Sequence, residues 1–190
     1  MGMTVYREAR PLIRDADILL FSGNGFVSTA IERVTHSEYS HVELAESRYG
    51  RIMSLGAVGV GVRYQPLSLT LRQGDYTRVD VYRLKPGIPF DSDALFRFAF
   101  ANLGKPYAFL NLVGIWANET LNVSGLINSP RIKDTDAFIC SGFVSRGYTA
   151  GGRDLRADVN DPITTPEQIG ESQFIEKILA FEPGEINETD

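Results

Sequence analysis

Apolar and polar positions change period several times along the chain, and each change marks an element. DILLFSG (17–23) is a continuous apolar run closed by Gly23, Asn24 and Gly25, the pattern of a buried strand ended by a turn. FVSTAIERV (26–34) spaces Val27, Ile31 and Val34 as a short helix does. SHVELAE then alternates, so that His41, Glu43 and Ala45 share one face of a strand while Val42 and Leu44 share the other. SRYG turns the chain and RIMSL runs back as a hairpin partner. TRVDVYRL (77–84) alternates again, with a slip of phase near its end.

Residues 90–104 carry the strongest helical pattern, with Asp91 or Ser92 as cap and Gly104 as a left-handed stop. Apolar residues surround most of this helix, which predicts a central position. FLNLVGIWANETLNVSGLI is apolar and reads as helical, and PEQIGESQFIEKILAF reads as short helices. The last residues, about 182–190, are acidic and are expected to fray. No repeat or linker divides the chain, so one domain over 1–190 is expected. Strands and helices without a regular βαβ alternation predict an α+β class with a mainly antiparallel sheet.

Composition narrows the function. A length of 190 residues, 43% hydrophobic and 23% charged content suit a globular domain with a proper core. A formal charge of −5 without a basic cluster argues against nucleic-acid binding. The first 21 residues place charges where a secretory signal needs its apolar stretch, and no apolar run is long enough to span a membrane. A cytoplasmic protein is expected, although a phage-borne or non-classically exported one has the same composition. The glycines of GAVGVGVRY make neither a phosphate loop nor a dinucleotide fingerprint. They read instead as a strand that lets another backbone come close. No cofactor is expected.

The chain has one cysteine, Cys140, in DAFICSGFVSRGY, on what reads as the first turn of a helix. It has no internal disulfide partner. Two readings stand: a small buried apolar side chain, or a nucleophile whose thiolate is favoured by the helix dipole. Thr135 or Asp136 is placed to cap this helix, and N–H groups around Cys140 and Ser141 are placed to receive an oxyanion. A base must come from the only two histidines. His36 lies in a polar connection, and His41 lies on the alternating strand, where it is either a core residue or the base. Spacing of His36, His41 and Cys140 offers at most three ligands and no H-E-x-x-H pattern, so no metal site is expected.

The order of these segments resembles that of the circularly permuted NlpC-type papain-like enzymes, the bacterial YiiX-like group. The matching residues are the Asp17–Leu20 strand, Thr35, Ser37, Tyr39, Ser40, His41 and Val42, then GVGVRYQPL, GKPY at 104–107, FICSGFV and ITTPEQIGES. The resemblance implies a permuted papain-like fold and a thiol hydrolase acting on a small peptide, amide or acyl substrate, with Cys140 as nucleophile and His41 as base. Its relatives include cell-wall peptidases and amidases, and acyltransferases of the lecithin–retinol type. Their third polar residue, matched through the hairpin, falls here on Ser54. Glu43, on the face of His41, is a second candidate to orient the imidazole or a plain strand residue. Tyr107 and Tyr39 are candidates to orient or bind substrate, and Tyr107 reads equally as a packed core ring. Ala16 stands where relatives carry glycine.

Overall fold

The computed structural model describes residues 4–23, 38–58, 61–106, 139–159 and 164–186. Seven strands form one sheet: β1 (Thr4–Val5), β2 (Ile18–Gly23), β3 (His41–Arg48), β4 (Arg51–Val58), β5 (Gly61–Pro66), β6 (Tyr76–Leu84) and β7 (Ile175–Glu182). Their order is β1-β7-β6-β2-β3-β4-β5, antiparallel throughout except for the β1–β7 pair. Among the described residues the helices are α1 (Tyr6–Ala9), α2 (Leu67–Gln73), α3 (Ser92–Ala101), α4 (Cys140–Ala150) and α5 (Pro166–Gly170), with a 3-10 turn at Arg10–Leu12. The expected α+β class with a mainly antiparallel sheet is therefore what the chain adopts. No helix among the described residues is long and apolar enough to cross a membrane.

A separate core forms on each face of the sheet. On one, Leu20, Val42, Leu44 and Leu55 pack against Leu95 and Ala99 of α3 and Phe143, Val144 and Tyr148 of α4. On the other, Leu19, Phe21, Ala45, Val79 and Val81 pack against Tyr6 of α1, Leu67 and Leu71 of α2, and Phe181. This division follows from the period of two along β3, with Val42 and Leu44 in one core and Ala45 in the other. α4 (CSGFVSRGYTA) is made largely of weak helix formers, yet eight of its eleven residues are buried. Tertiary packing, not propensity, holds it.

Several expectations are corrected. The helix at 90–104 is amphipathic, burying Leu95 and Ala99 and leaving its other side outward. Its ends are as predicted: Asp91 accepts from the Ala94 N–H, and Gly104 follows at φ 77°. The segment FIEKILAF, read as helical, is strand β7. Ile175 and Phe181 are buried there while Glu176, Lys177 and Ile178 are exposed, and pairing with β6 decides between the two periods. The slip of phase in 77–84 is a register shift between Val81 and Tyr82. The helix expected at 26–34, His36, and the apolar segment at 109–127 lie outside the described residues.

Two glycines meet their expectation differently. Gly61, at φ 123°, would place a Cβ 2.6 Å from the Lys105 carbonyl oxygen, so this glycine admits a backbone. Gly56 admits a side chain, described below.

The β3–β4 hairpin closes through Tyr49 (φ 52°) and Gly50 (φ 74°), both left-handed as in a type I′ turn. Tyr49 is 95% exposed, so its ring returns little for the backbone cost. Tyr49→Asn is expected to stabilise the fold by about 1 kcal/mol, read as a higher denaturant midpoint at unchanged slope.

Candidate active site

His41 is the first residue of β3 and Cys140 the first of α4. Both are buried. α4 has Ile139 as its N-cap with no side-chain cap, which corrects the expected cap at Thr135 or Asp136; those two residues lie outside the described ones. Ile139 itself offers no side chain to the first-turn N–H groups of α4. The Ser141 N–H bonds the Cys140 sulfur.

A second N–H comes from the sheet. The Ala45 N–H donates to the Asp17 carbonyl at 2.8 Å, so alternate N–H groups of β3 point to β2 and those of Val42 and Leu44 point to β4. Pairing of β3 with β4 begins only at Leu44↔Leu55. Val42 lies beyond that last rung, and its N–H bonds the Cys140 sulfur. The parting of β3 and β4 is what lets a helix on one face of the sheet present its thiol to a histidine on the other.

His41 contacts Cys140 by a side-chain hydrogen bond. Its Nε2 lies 3.1 Å from Glu43 Oε1. Glu43 is only 2% exposed; it is no solvent-facing strand residue. A Cβ on Gly56 of β4 would sit 2.5 Å from Glu43 Cγ, so the carboxylate occupies the space this glycine leaves.

Electrostatics follow from these contacts. Burial of Cys140 pushes its thiol up, but the His41 hydrogen bond and charge, with the Val42 and Ser141 N–H groups, outweigh it and hold the pKa below the ordinary value. Burial of His41 disfavours the imidazolium. The Cys140 sulfur and the Glu43 carboxylate work the other way, and its pKa lies well above the usual imidazole range. The pair is biased toward thiolate and imidazolium.

Of the residues singled out in the sequence, Cys140, His41, Glu43 and Ser141 come together. The Ser141 hydroxyl itself is engaged, donating to the Thr164 carbonyl. Ser54 does not join them. It stands opposite Ala45, on the right face but four residues along β3 from His41, roughly 13 Å away. Its hydroxyl pairs with that of Thr70 at 2.7 Å. Tyr39 donates to Asp80 at 2.6 Å at the entry to β3. Tyr107 lies outside the described residues. Sequence reasoning missed Phe21, Gly56 and Tyr76; only the glycine left a trace, as a small residue in a strand.

Gly56→Ala is expected to evict the Glu43 carboxylate and raise the Cys140 inflection. Thiol alkylation near pH 6 should slow by about tenfold, one pKa unit. The pH dependence of iodoacetamide labelling, followed by intact mass, checks this.

No protein-family model matches the sequence, and no curated protein matches it. Among solved structures, the crystal structure of the metalloprotein YiiX from Escherichia coli O157:H7, a DUF1105 protein, is similar to it with a TM-score of 0.66 and 21% identity. The match covers 90% of this chain and 98% of that one. At that identity the likeness is one of architecture, and the chain shares the fold of YiiX.

Proposed function

We propose that this chain is a cysteine hydrolase of amide or ester bonds, in a permuted papain-like arrangement. The observation that carries the reading is the buried grouping of Cys140, His41 and Glu43, with His41 Nε2 held by a carboxylate at 3.1 Å and its imidazole interacting with the Cys140 thiol. The segment order that resembles the NlpC-type enzymes supports it.

In this mechanism His41 holds the Cys140 proton, and the thiolate attacks the substrate carbonyl carbon to form a C–S bond. First-turn N–H groups of α4 receive the oxygen that becomes negative. Collapse breaks the bond to nitrogen or oxygen, and the imidazolium gives its proton to the departing amine or alcohol. Water then attacks the thioester with His41 as base, and the acid leaves as the thiolate is restored. Glu43 keeps the imidazole in the required tautomer and steadies its charge. The substrate class is a small peptide, amide or ester, of which cell-wall peptides are one type.

YiiX is described as a metalloprotein. Among the described residues no group of three His, Cys, Asp or Glu side chains is arranged to hold a metal ion, and His41 Nε2 is already paired with Glu43. These residues do not fit a metal, and the mechanism has no metal step.

Incubation with an activated acyl ester and rapid acid quench tests the reading. Intact mass should show one acyl group on Cys140, with release of the acid over time. Turnover retained by Cys140→Ala, or no acyl adduct with any ester or peptide amide, would refute it.

A further inference from the structure

The imidazole of His41 is enclosed by two aromatic rings that no motif announces. Phe21, its cross-strand neighbour on β2, tilts against it at 5.5 Å between centroids. Tyr76, the first residue of β6, lies nearly parallel to it, at 6.3 Å and 9°. The two rings pack on each other at 4.6 Å. Tyr76 reaches this position because Gly74 has no side chain: a Cβ there would lie 2.2 Å from a ring carbon of Tyr76. Gly74 has φ −104°, so its backbone does not need glycine; the ring does.

We propose that Tyr76 is a positioning residue that acts through His41, its ring keeping water from the His41–Glu43 hydrogen bond. This rests on the cysteine-hydrolase reading and deepens it. The titratable groups facing the imidazole are Glu43 from its own strand, Tyr76 from β6 and Cys140 from α4. Burial holds the Tyr76 hydroxyl above its ordinary range, so near neutral pH it presents a neutral ring to the pair. A charged hydrogen bond strengthens as water is excluded around it. Glu43 is buried, with one carboxylate oxygen on His41 and the other without a partner.

The test compares Tyr76→Phe, Tyr76→Leu and Gly74→Ala with the native chain and with His41→Ala. The rate of Cys140 alkylation by iodoacetamide is read across pH, and thermal unfolding confirms that each variant is folded. Gly74→Ala keeps the ring and forces it aside, so the test survives if Tyr76→Leu does not fold. Tyr76→Phe should keep the low inflection, while Tyr76→Leu and Gly74→Ala should move it up, slowing alkylation near pH 6 by about tenfold. An inflection unmoved in Tyr76→Leu and Gly74→Ala would overturn the inference while leaving the hydrolase reading intact. Loss of the inflection in Tyr76→Phe would assign the effect to the hydroxyl and overturn the role of the ring. A native inflection indifferent to His41→Ala would instead overturn the underlying hydrolase reading.

Discussion

Replacing His41 with alanine is expected to slow formation of the acyl-enzyme by about 10²–10⁴-fold and to change the shape of its pH profile. In the native chain the acid limb falls where the thiolate gains a proton, below the ordinary cysteine range because the Cys140 pKa is depressed. The alkaline limb falls where the imidazolium loses its proton, above the ordinary histidine range because the His41 pKa is raised. Both inflections belong to the coupled pair. Without His41 the alkaline limb disappears, and burial, now unopposed by the imidazolium, moves the acid limb up toward or beyond about 8.5. Single-turnover rates across pH, with circular dichroism to establish an intact fold, measure both effects. An acid limb that stays in place would mean that the α4 N-terminus alone depresses the thiol.

Arg83→Met is expected to produce the largest loss of stability, about 3 kcal/mol at neutral pH. Asp17 is fully buried just before β2 and accepts from Arg83 Nε and Arg83 Nη2, each at 2.7 Å, together with the Arg14 N–H at 2.8 Å. Burial already pushes the Asp17 carboxyl up against the pull of Arg83. With the guanidinium gone, a charged carboxylate is left in the core, and its pKa rises further. A carboxyl whose folded pKa exceeds its unfolded value costs stability above that range and ceases to as pH falls through both values. The deficit should therefore be full at pH 7 and shrink in acid. Urea unfolding of both proteins at several pH values measures the difference; a constant deficit would mean that Arg83 acts by packing its stem.

Legibility of the chain tracked how local each determinant is. β3, its hairpin and the helix at 92–101 declare themselves within ten residues through alternation, turn residues and caps. The Cys140–His41 pair was readable because one cysteine and two histidines leave few choices. The choice of a partner for His41 between the two candidates, Ser54 and Glu43, was not, because they are separated by register alone. Alignment of the hairpin reaches the correct face, but only the pairing Ala45↔Ser54 reveals that Ser54 lies too far along the strand. β7 was misread because a segment containing both Glu176 and Lys177 fits either period until β6 pairs with it. Tyr76 was invisible for a related reason: its contact with His41 crosses β2, and no local pattern encodes a neighbour two strands away.

The placement of β7 between β1 and β6 bears on the order of events during synthesis. β6, which carries Tyr76, lacks its outer neighbour until residues 175–182 have emerged from the ribosome. Cys140 meets a histidine 99 positions earlier only when α4 has docked on β3. The loop closure this requires is slow and long-range. A nascent chain consequently carries an ordinary thiol, and the depressed thiol pKa arises as a property of the finished sheet.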